Sequence, residues 1–306
     1  MAVRTAFLLI LSCLVSITAT AEETKRLRLW DETPPGPASM TNGDEQDMTK
    51  PADNLVGGSR IIKLGNVSLP ELHIFLPTQE TANRGAVLVC PGGGFSILAW
   101  DLEGTEVAQW LTSLGFVAAV LKYRVPTRGH EGVEVWQGPV MDAQRGLSVI
   151  RDNADQWNID PDRVGILGFS AGGQVAARAA IAKGQRLYLS TDKIDQSSCA
   201  VNFAILIYPA WIANDSGDLN EGFVVDSQSP PMFFAHAAND GVSCMSSVAL
   251  FAALKKADVP TELHVFADGG HGYGMRETEL AATRWSSLAA SWLENQILAK
   301  SAKDSK

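Results

Sequence analysis

Arg163-Val164-Gly165-Ile166-Leu167-Gly168-Phe169-Ser170-Ala171-Gly172-Gly173 is the stretch that decides how this chain folds. Val164 to Leu167 reads as a buried apolar strand, and from Ala171 small helix-forming residues take over, so a strand turns abruptly into a helix. At the turn stands Gly168-Phe169-Ser170-Ala171-Gly172, a G-x-S-x-G pattern in the strand–turn–helix context that it requires. So sharp a turn strains the backbone of Ser170 and lifts its Oγ above the sheet, and only small residues at 168 and 172 avoid neighbouring backbone. The helix N-terminus behind the serine favours developing negative charge.

Working outward, Val140, Ala143, Leu147, Ile150 and Ala154 recur at spacings of 3, 4, 3 and 4, one face of a helix. Further upstream, residues 86–90 and 116–123 are near-continuous apolar strands, with a helix over 103–113 between them and Asp101 as its N-cap. Shorter strands are predicted at 60–64 and 71–76. Downstream, the pattern predicts a helix over 171–182, strands at 202–208 and 232–236, a helix over 245–255, a strand at 261–266 and a last helix near 279–297. Strands alternating with helices predict an α/β fold, a mostly parallel central sheet with helices on both faces, and no linker or repeat divides residues 59–306.

The composition agrees. The chain has 306 residues, 46% hydrophobic and 19% charged, as expected of a globular protein. Its 25 Lys and Arg against 34 Asp and Glu give a net charge of −9, which argues against a nucleic-acid partner. Residues 1–21 read as a signal peptide: Arg4, an apolar run from Ala6 to Ile17, and Ala19-Thr20-Ala21 as the cleavage site, so a secreted or periplasmic chain beginning at Glu22 is expected, with no membrane attachment after cleavage. Residues 22–58, broken by Pro34, Pro35, Pro37 and Pro51, read as an extended arm over the domain. Removing Cys13 leaves Cys90, Cys199 and Cys244, which excludes a disulfide scaffold and leaves a Cys199–Cys244 bridge open.

A serine hydroxyl is a poor nucleophile until a base takes its proton and a carboxylate fixes that base's tautomer. For this motif the chain order is Ser, acid, His. Of the three histidines after Ser170, His236 ends a strand and His264 alternates within one. His271 stands in the glycine-rich loop Asp268-Gly269-Gly270-His271-Gly272-Tyr273 directly after the last strand and is the candidate base. Asp240, in His236-Ala237-Ala238-Asn239-Asp240 at the carboxyl edge of the sheet, is favoured as the acid over Asp268, which lies too close to His271 in the same loop. Asp215, Asp218 and Asp226 fall in a polar loop. An oxyanion needs preorganised N–H donors, and Pro91-Gly92-Gly93-Gly94-Phe95 after the strand at 86–90 supplies a glycine loop, so Gly93, Gly94 and Ala171 are the expected donors.

These residues, with Ala99-Trp100-Asp101-Leu102-Glu103-Gly104, Leu121-Lys122-Tyr123-Arg124, Asp142-Ala143-Gln144-Arg145 and Gly270-His271-Gly272, resemble secreted α/β-hydrolases of the acetyl xylan esterase and feruloyl esterase-like group, and the catalytic domains of prolyl-oligopeptidase-type peptidases. The resemblance implies an α/β-hydrolase fold and a serine carboxylesterase that removes small acyl groups, acetyl foremost, from a small-molecule or oligosaccharide ester. It implies neither metal nor cofactor, with Ser170, Asp240 and His271 as the triad. Two departures, Asn239 where many relatives carry a second Asp and Ser243-Cys244 where they carry Val-Pro, fall on the rim of the site.

Trp100 and Trp136 are candidate platforms for a sugar ring or aryl acyl group, with half-buried packing as the alternative. The stretch 211–228, acidic and free of Lys and Arg, is either a cap over the site or a solvated loop. Asp101 and Glu103 are read as helix-capping rather than substrate contacts. No zincin, paired C-x-x-C or P-loop motif is present. The competing readings are a peptidase or lipase of the same fold and a non-catalytic carbohydrate-binding protein.

Overall fold

In the computed structural model, which describes residues 22–299, the strand Val164–Phe169 is buried along its whole length. Its side chains alternate, so Val164 and Ile166 enter the apolar layer on one face of the sheet and Leu167 and Phe169 the layer on the other. In chain order the strands are β1 (Glu23–Arg28), β2 (Gln46–Asp47), β3 (Lys63–Gly65), β4 (Glu71–Phe75), β5 (Ala86–Cys90), β6 (Leu98–Ala99), β7 (Val117–Lys122), β8 (Val164–Phe169), β9 (Phe203–Ile207), β10 (Met232–Ala237) and β11 (Thr261–Phe266). The α-helices are α1 (Glu106–Ser113), α2 (Gln137–Asp152), α3 (Ser170–Ile181), α4 (Met245–Lys256) and α5 (Trp285–Trp292).

Eight strands form one sheet in the order β1-β4-β7-β5-β8-β9-β10-β11. From β7 to β11 all neighbours are parallel, and β4 and β1 add an antiparallel edge. Residues from α2, α3 and α4 pack into one apolar layer, and those from α1 and α5 into the other. After β5 the chain crosses to β7 on one side and later to β8 on the other, so the loops leaving the carboxyl ends of β5 and β8 diverge. That divergence opens the crevice where open α/β sheets hold their ligands.

The expected fold class is the observed one, with four corrections. First, residues 22–58 do not merely lie over the domain, because β1 pairs with β4 in the main sheet. Second, the strand expected at 60–64 is the short β3, which joins β2 and β6 in a separate three-stranded sheet. Third, Asp101 does not cap a helix at 103. Helical geometry already begins there, with Trp100 at φ −66° and ψ −44°, and Asp101 accepts the Ile62 N–H (2.8 Å) and pairs with Arg276 (2.8 Å). Fourth, Glu103 is buried and caps nothing, as described below. The expected signal peptide and Cys13 lie outside the described residues. Cys90, Cys199 and Cys244 are all free thiols, so Cys199 and Cys244 are unbridged.

The arm is fastened by two buried arginines. Arg124 forms a two-pronged ion pair with Asp142 and donates from Nη1 to the carbonyls of Pro35 and Pro37, each at 2.9 Å. Trp30 donates its indole N–H to Asp142 (2.9 Å), and Arg145 donates to the Leu29 carbonyl (2.8 Å) while pairing with Asp192 and Asp195. Arg124, Asp142 and Arg145 of the Tyr123-Arg124 and Asp142 to Arg145 signatures thus hold the N-terminal segment to α2 and the end of β7.

Candidate active site

Ser170 is the first residue of α3, and the turn from β8 forces it to φ +49°, while Phe169 before it is extended. The turn is locked by a close backbone approach: a Cβ on Gly172 would lie 2.1 Å from the Cys90 carbonyl oxygen. His271 follows β11 and Asp240 follows β10, so three loops at the carboxyl edge of parallel strands converge. The Ser170 hydroxyl lies 2.9 Å from His271 Nε2, and His271 Nδ1 lies 2.8 Å from Asp240 Oδ2. The three residues singled out in the sequence are therefore brought into one relay, with Ser170 8% exposed and the Asp240 side chain fully buried.

Asp240 is held from several sides. Its Oδ1 accepts the Val242 N–H (2.7 Å), and His236 Nε2 lies 3.4 Å from Oδ2. Burial pushes the carboxyl up, but the hydrogen bonds from His236, His271 and Val242 and the His271 charge outweigh it and hold the pKa at about 2. His236, fixed between Ser247 Oγ and the Val242 carbonyl, and His264, on Glu262, stand outside the relay. Asp268 is not hydrogen-bonded to His271; it accepts from the Asn239 amide, whose oxygen in turn accepts the N–H groups of Gly269 and Gly270. Asn239 both donates and accepts, so it joins the acid loop to the His271 loop, a task for which an aspartate lacks the donor.

A pocket of about 400 Å3 opens over the serine, lined by Gly93, Gly94, Leu102, Trp211, Val242 and His271 among others. Gly93 has φ +133° and its Cβ would meet the Ile97 carbonyl oxygen at 2.0 Å, so glycine alone fits that bend. The Gly92 N–H is taken by Glu103 Oε2 (2.7 Å), whereas Gly93 and Gly94 face the pocket beside Ser170, with Ala171 next to it in chain. Among the described residues no group of three or more His, Cys, Asp or Glu side chains is arranged to hold a metal ion.

Both tryptophans named as candidate platforms are half-buried, and each meets another side chain. Trp100 is half-buried against the core and meets His73 edge-on at 4.7 Å. Trp136 lines a second, neighbouring cleft, but the Arg178 guanidinium covers its ring at 3.8 Å. The stretch 211–228 forms a wall of that cleft through Trp211, Asn220, Glu221 and Gly222. Sequence reading missed Gln174 and Arg178, which also line it. The signal was present: Ser170, Gln174 and Arg178 are spaced i, i+4, i+8 along one face of α3. It also missed Tyr208, whose hydroxyl donates to Glu103 (2.7 Å) and accepts the Gly274 N–H (2.9 Å), while its ring meets His271 edge-on at 4.9 Å.

The BD-FAE family model matches residues 72–211, and the prolyl oligopeptidase family model matches residues 214–299. The crystal structure of an acetyl ester-xyloside bifunctional hydrolase from Caldicellulosiruptor lactoaceticus superimposes with a TM-score of 0.68 at 27% identity, covering 90% of this chain and 98% of that one. This chain has the α/β-hydrolase fold. Among curated proteins, this chain is 27% identical over 238 residues to an acetylxylan esterase of Xylanibacter ruminicola, covering 70% of this chain and 45% of that protein. It is 28% identical over 231 residues to endo-1,4-beta-xylanase B of Butyrivibrio fibrisolvens, covering 69% of this chain and 36% of that protein. The chain thus spans less than half the length of these two relatives.

Proposed function

We propose that this α/β-hydrolase is a serine carboxylesterase that removes small acyl groups, acetyl foremost, from carbohydrate. The observation that carries the reading is the relay in which Ser170 Oγ, His271 and Asp240 stand at 2.9 and 2.8 Å. In this mechanism His271 Nε2 takes the Ser170 proton as Oγ attacks the ester carbonyl, and Asp240 stabilises the imidazolium that forms. The negative oxygen of the tetrahedral intermediate receives the N–H groups of Gly93, Gly94 and Ala171. The sugar alcohol leaves with the proton from His271, and water, deprotonated by the same imidazole, releases the acid from Ser170. The names of the relatives, an acetylxylan esterase and an acetyl ester-xyloside hydrolase, support a carbohydrate ester as substrate. The pattern at residues 1–21 supports export, with Glu22 as the mature N-terminus, which mass spectrometry of the secreted protein checks.

The test is acetate release from acetylated xylan and from a short-chain chromogenic acetate, with Ser170→Ala beside the wild type. Activity on both substrates that vanishes in Ser170→Ala supports the reading. A variant as active as wild type, or a folded wild type that releases neither product, overturns it. Cleavage of peptide amides in preference to esters would instead favour the peptidase reading.

A further inference from the structure

Beside the Ser170 pocket lies a larger cleft of about 720 Å3, and the two share a wall made by Arg128 and Trp211. Within it the Arg178 guanidinium is gripped between two rings, 3.8 Å from the centroid of Trp136 and 4.4 Å from that of Phe223. Stacking of this kind fixes the guanidinium plane while leaving its hydrogen-bonding edge to be satisfied from the side. That edge is poorly satisfied. Nε has no partner, and Nη2 makes only a long contact to the Glu221 carbonyl (3.4 Å). Burial lowers the group's pKa to about 10, so it stays cationic at neutral pH.

Arg124, Arg145 and Arg276 are each paired with carboxylates, whereas half-buried Arg178 has none within ion-pair distance among the described residues and feels Glu134 only through its charge. Four residues before it on α3, Gln174 is 5% exposed; its amide N–H donates to the Trp211 carbonyl (3.0 Å) and its Oε1 is left without a donor. Beside them Trp211 is 41% exposed, its ring stacked on Phe95 and approached by the Arg128 guanidinium at 5.3 Å from the ring centroid. A cation short of an anion, an amide oxygen short of a hydroxyl and a partly exposed indole together match one kind of ligand. A carboxylated sugar brings a planar anion, ring hydroxyls and an apolar C–H face. Glu134 and Glu221 also line the cleft; Glu134 accepts the Trp136 indole N–H (3.0 Å), and both carboxylates are exposed at the rim. Selection therefore follows from local fit at Arg178 and not from an overall positive field.

We propose that this cleft binds a uronic-acid residue of the carbohydrate ester, its carboxylate paired with Arg178, while the neighbouring acyl group occupies the Ser170 pocket. The inference rests on the esterase reading above and names the class of glycan that the same site selects.

The test compares acetylated xylo-oligosaccharides that carry a glucuronic acid branch with unbranched acetylated ones of equal length, alongside calorimetric titration of the unacetylated forms. Wild type is expected to favour the acidic substrate by about tenfold in kcat/KM, expressed in KM, and to bind the acidic oligosaccharide correspondingly tighter. Arg178→Met should bring both ratios to about one, and Arg178→Lys, which keeps the charge but not the planar fork, should recover only part of them. Equal handling of acidic and neutral substrates, or a preference that survives in Arg178→Met, overturns the inference and leaves the esterase reading standing. If no ester is hydrolysed, the esterase reading fails by itself, and the titrations still decide the uronate site: tighter acidic binding lost in Arg178→Met upholds it, and equal binding overturns it.

Discussion

Glu103 accepts the Tyr208 hydroxyl at 2.7 Å from one carboxylate oxygen and the Gly92 N–H at 2.7 Å with the other. One buried side chain thereby joins the glycine loop that carries Gly93 and Gly94 to the residue whose ring packs on His271 and whose hydroxyl holds Gly274. The two halves of the site, which lie far apart in sequence, are kept in register through it. A displacement of the order of an ångström at reacting groups costs about 10²-fold in rate. Glu103→Ala should therefore lower kcat by about that factor with little change in KM, and Glu103→Gln, which retains an acceptor for Gly92, should recover much of it. Equal kcat in wild type and Glu103→Ala would remove the positioning role.

The same carboxyl gives a pH signature. Burial pushes Glu103 up from its ordinary 4.5, against the opposing pull of Tyr208, Gly92 and His271. A raised acid stabilises the fold below its ordinary pKa and loses that contribution as pH rises. The melting temperature of Glu103→Gln relative to wild type should therefore shift in the variant's favour as pH is raised from 4.5 to 7.

Asp240 behaves in the opposite sense. Its carboxyl, held at about 2 against an ordinary 3.8, contributes stability above pH 3.8 that is lost as pH falls towards 2. Acid unfolding followed by circular dichroism should show this loss in wild type and not in Asp240→Asn. In that variant the amide presents a donor to Nδ1 and favours the wrong tautomer of His271, so kcat should fall by about 10⁴-fold, as removal of the charge does in other triads.

Gly172→Ala tests the elbow. The added methyl would stand 2.1 Å from the Cys90 carbonyl oxygen and 2.4 Å from that of Pro91, both backbone atoms with no rotamer to yield. We expect a loss of about 1–3 kcal/mol in stability, read by urea denaturation. Reaction of Ser170 with a fluorophosphonate should slow as well, because the strand and helix that aim it must part.

The arm is tested at Asp142. Its carboxylate is fully buried, and Arg124 beside it is 1% exposed. Asp142→Ala leaves that guanidinium charged and unpaired, so stability should drop by about 3–5 kcal/mol, whereas the double variant Arg124→Met/Asp142→Leu should restore part of the loss. Equal melting temperatures for the single and double variants would show that the pair does not anchor the arm.

Much of this molecule is legible in its sequence because the relevant interactions are local or periodic. Continuous apolar runs at Ala86–Cys90 and Val164–Phe169 report strands covered on both faces. G-x-S-x-G marks the turn that strains Ser170, and chain order after it left His271 and Asp240 as base and acid, which the fold brings together at 2.9 and 2.8 Å. Other features had no local trace. The polar, proline-broken arm gave no period by which to read β1, since an edge strand needs only a partner for its backbone, and β4 supplies it. Asp101 and Glu103 looked like ordinary first-turn acids of a helix, and only the arrival of Arg276 from one side and of Tyr208 and Gly92 from the other turned them to other tasks. Trp100, Trp136 and Trp211 are indistinguishable as letters; packing half-buries the first against His73, covers the second with Arg178 and leaves the third 41% exposed between Phe95 and Arg128. The alternation of parallel strands and helices and the candidate residues around Ser170 could be read from the chain alone, because those follow from backbone geometry and residue type. Which side chains share a buried hydrogen or a cleft wall was decided only by the tertiary structure, because burial, and with it the cost of an unmet charge, exists only once distant segments have packed together.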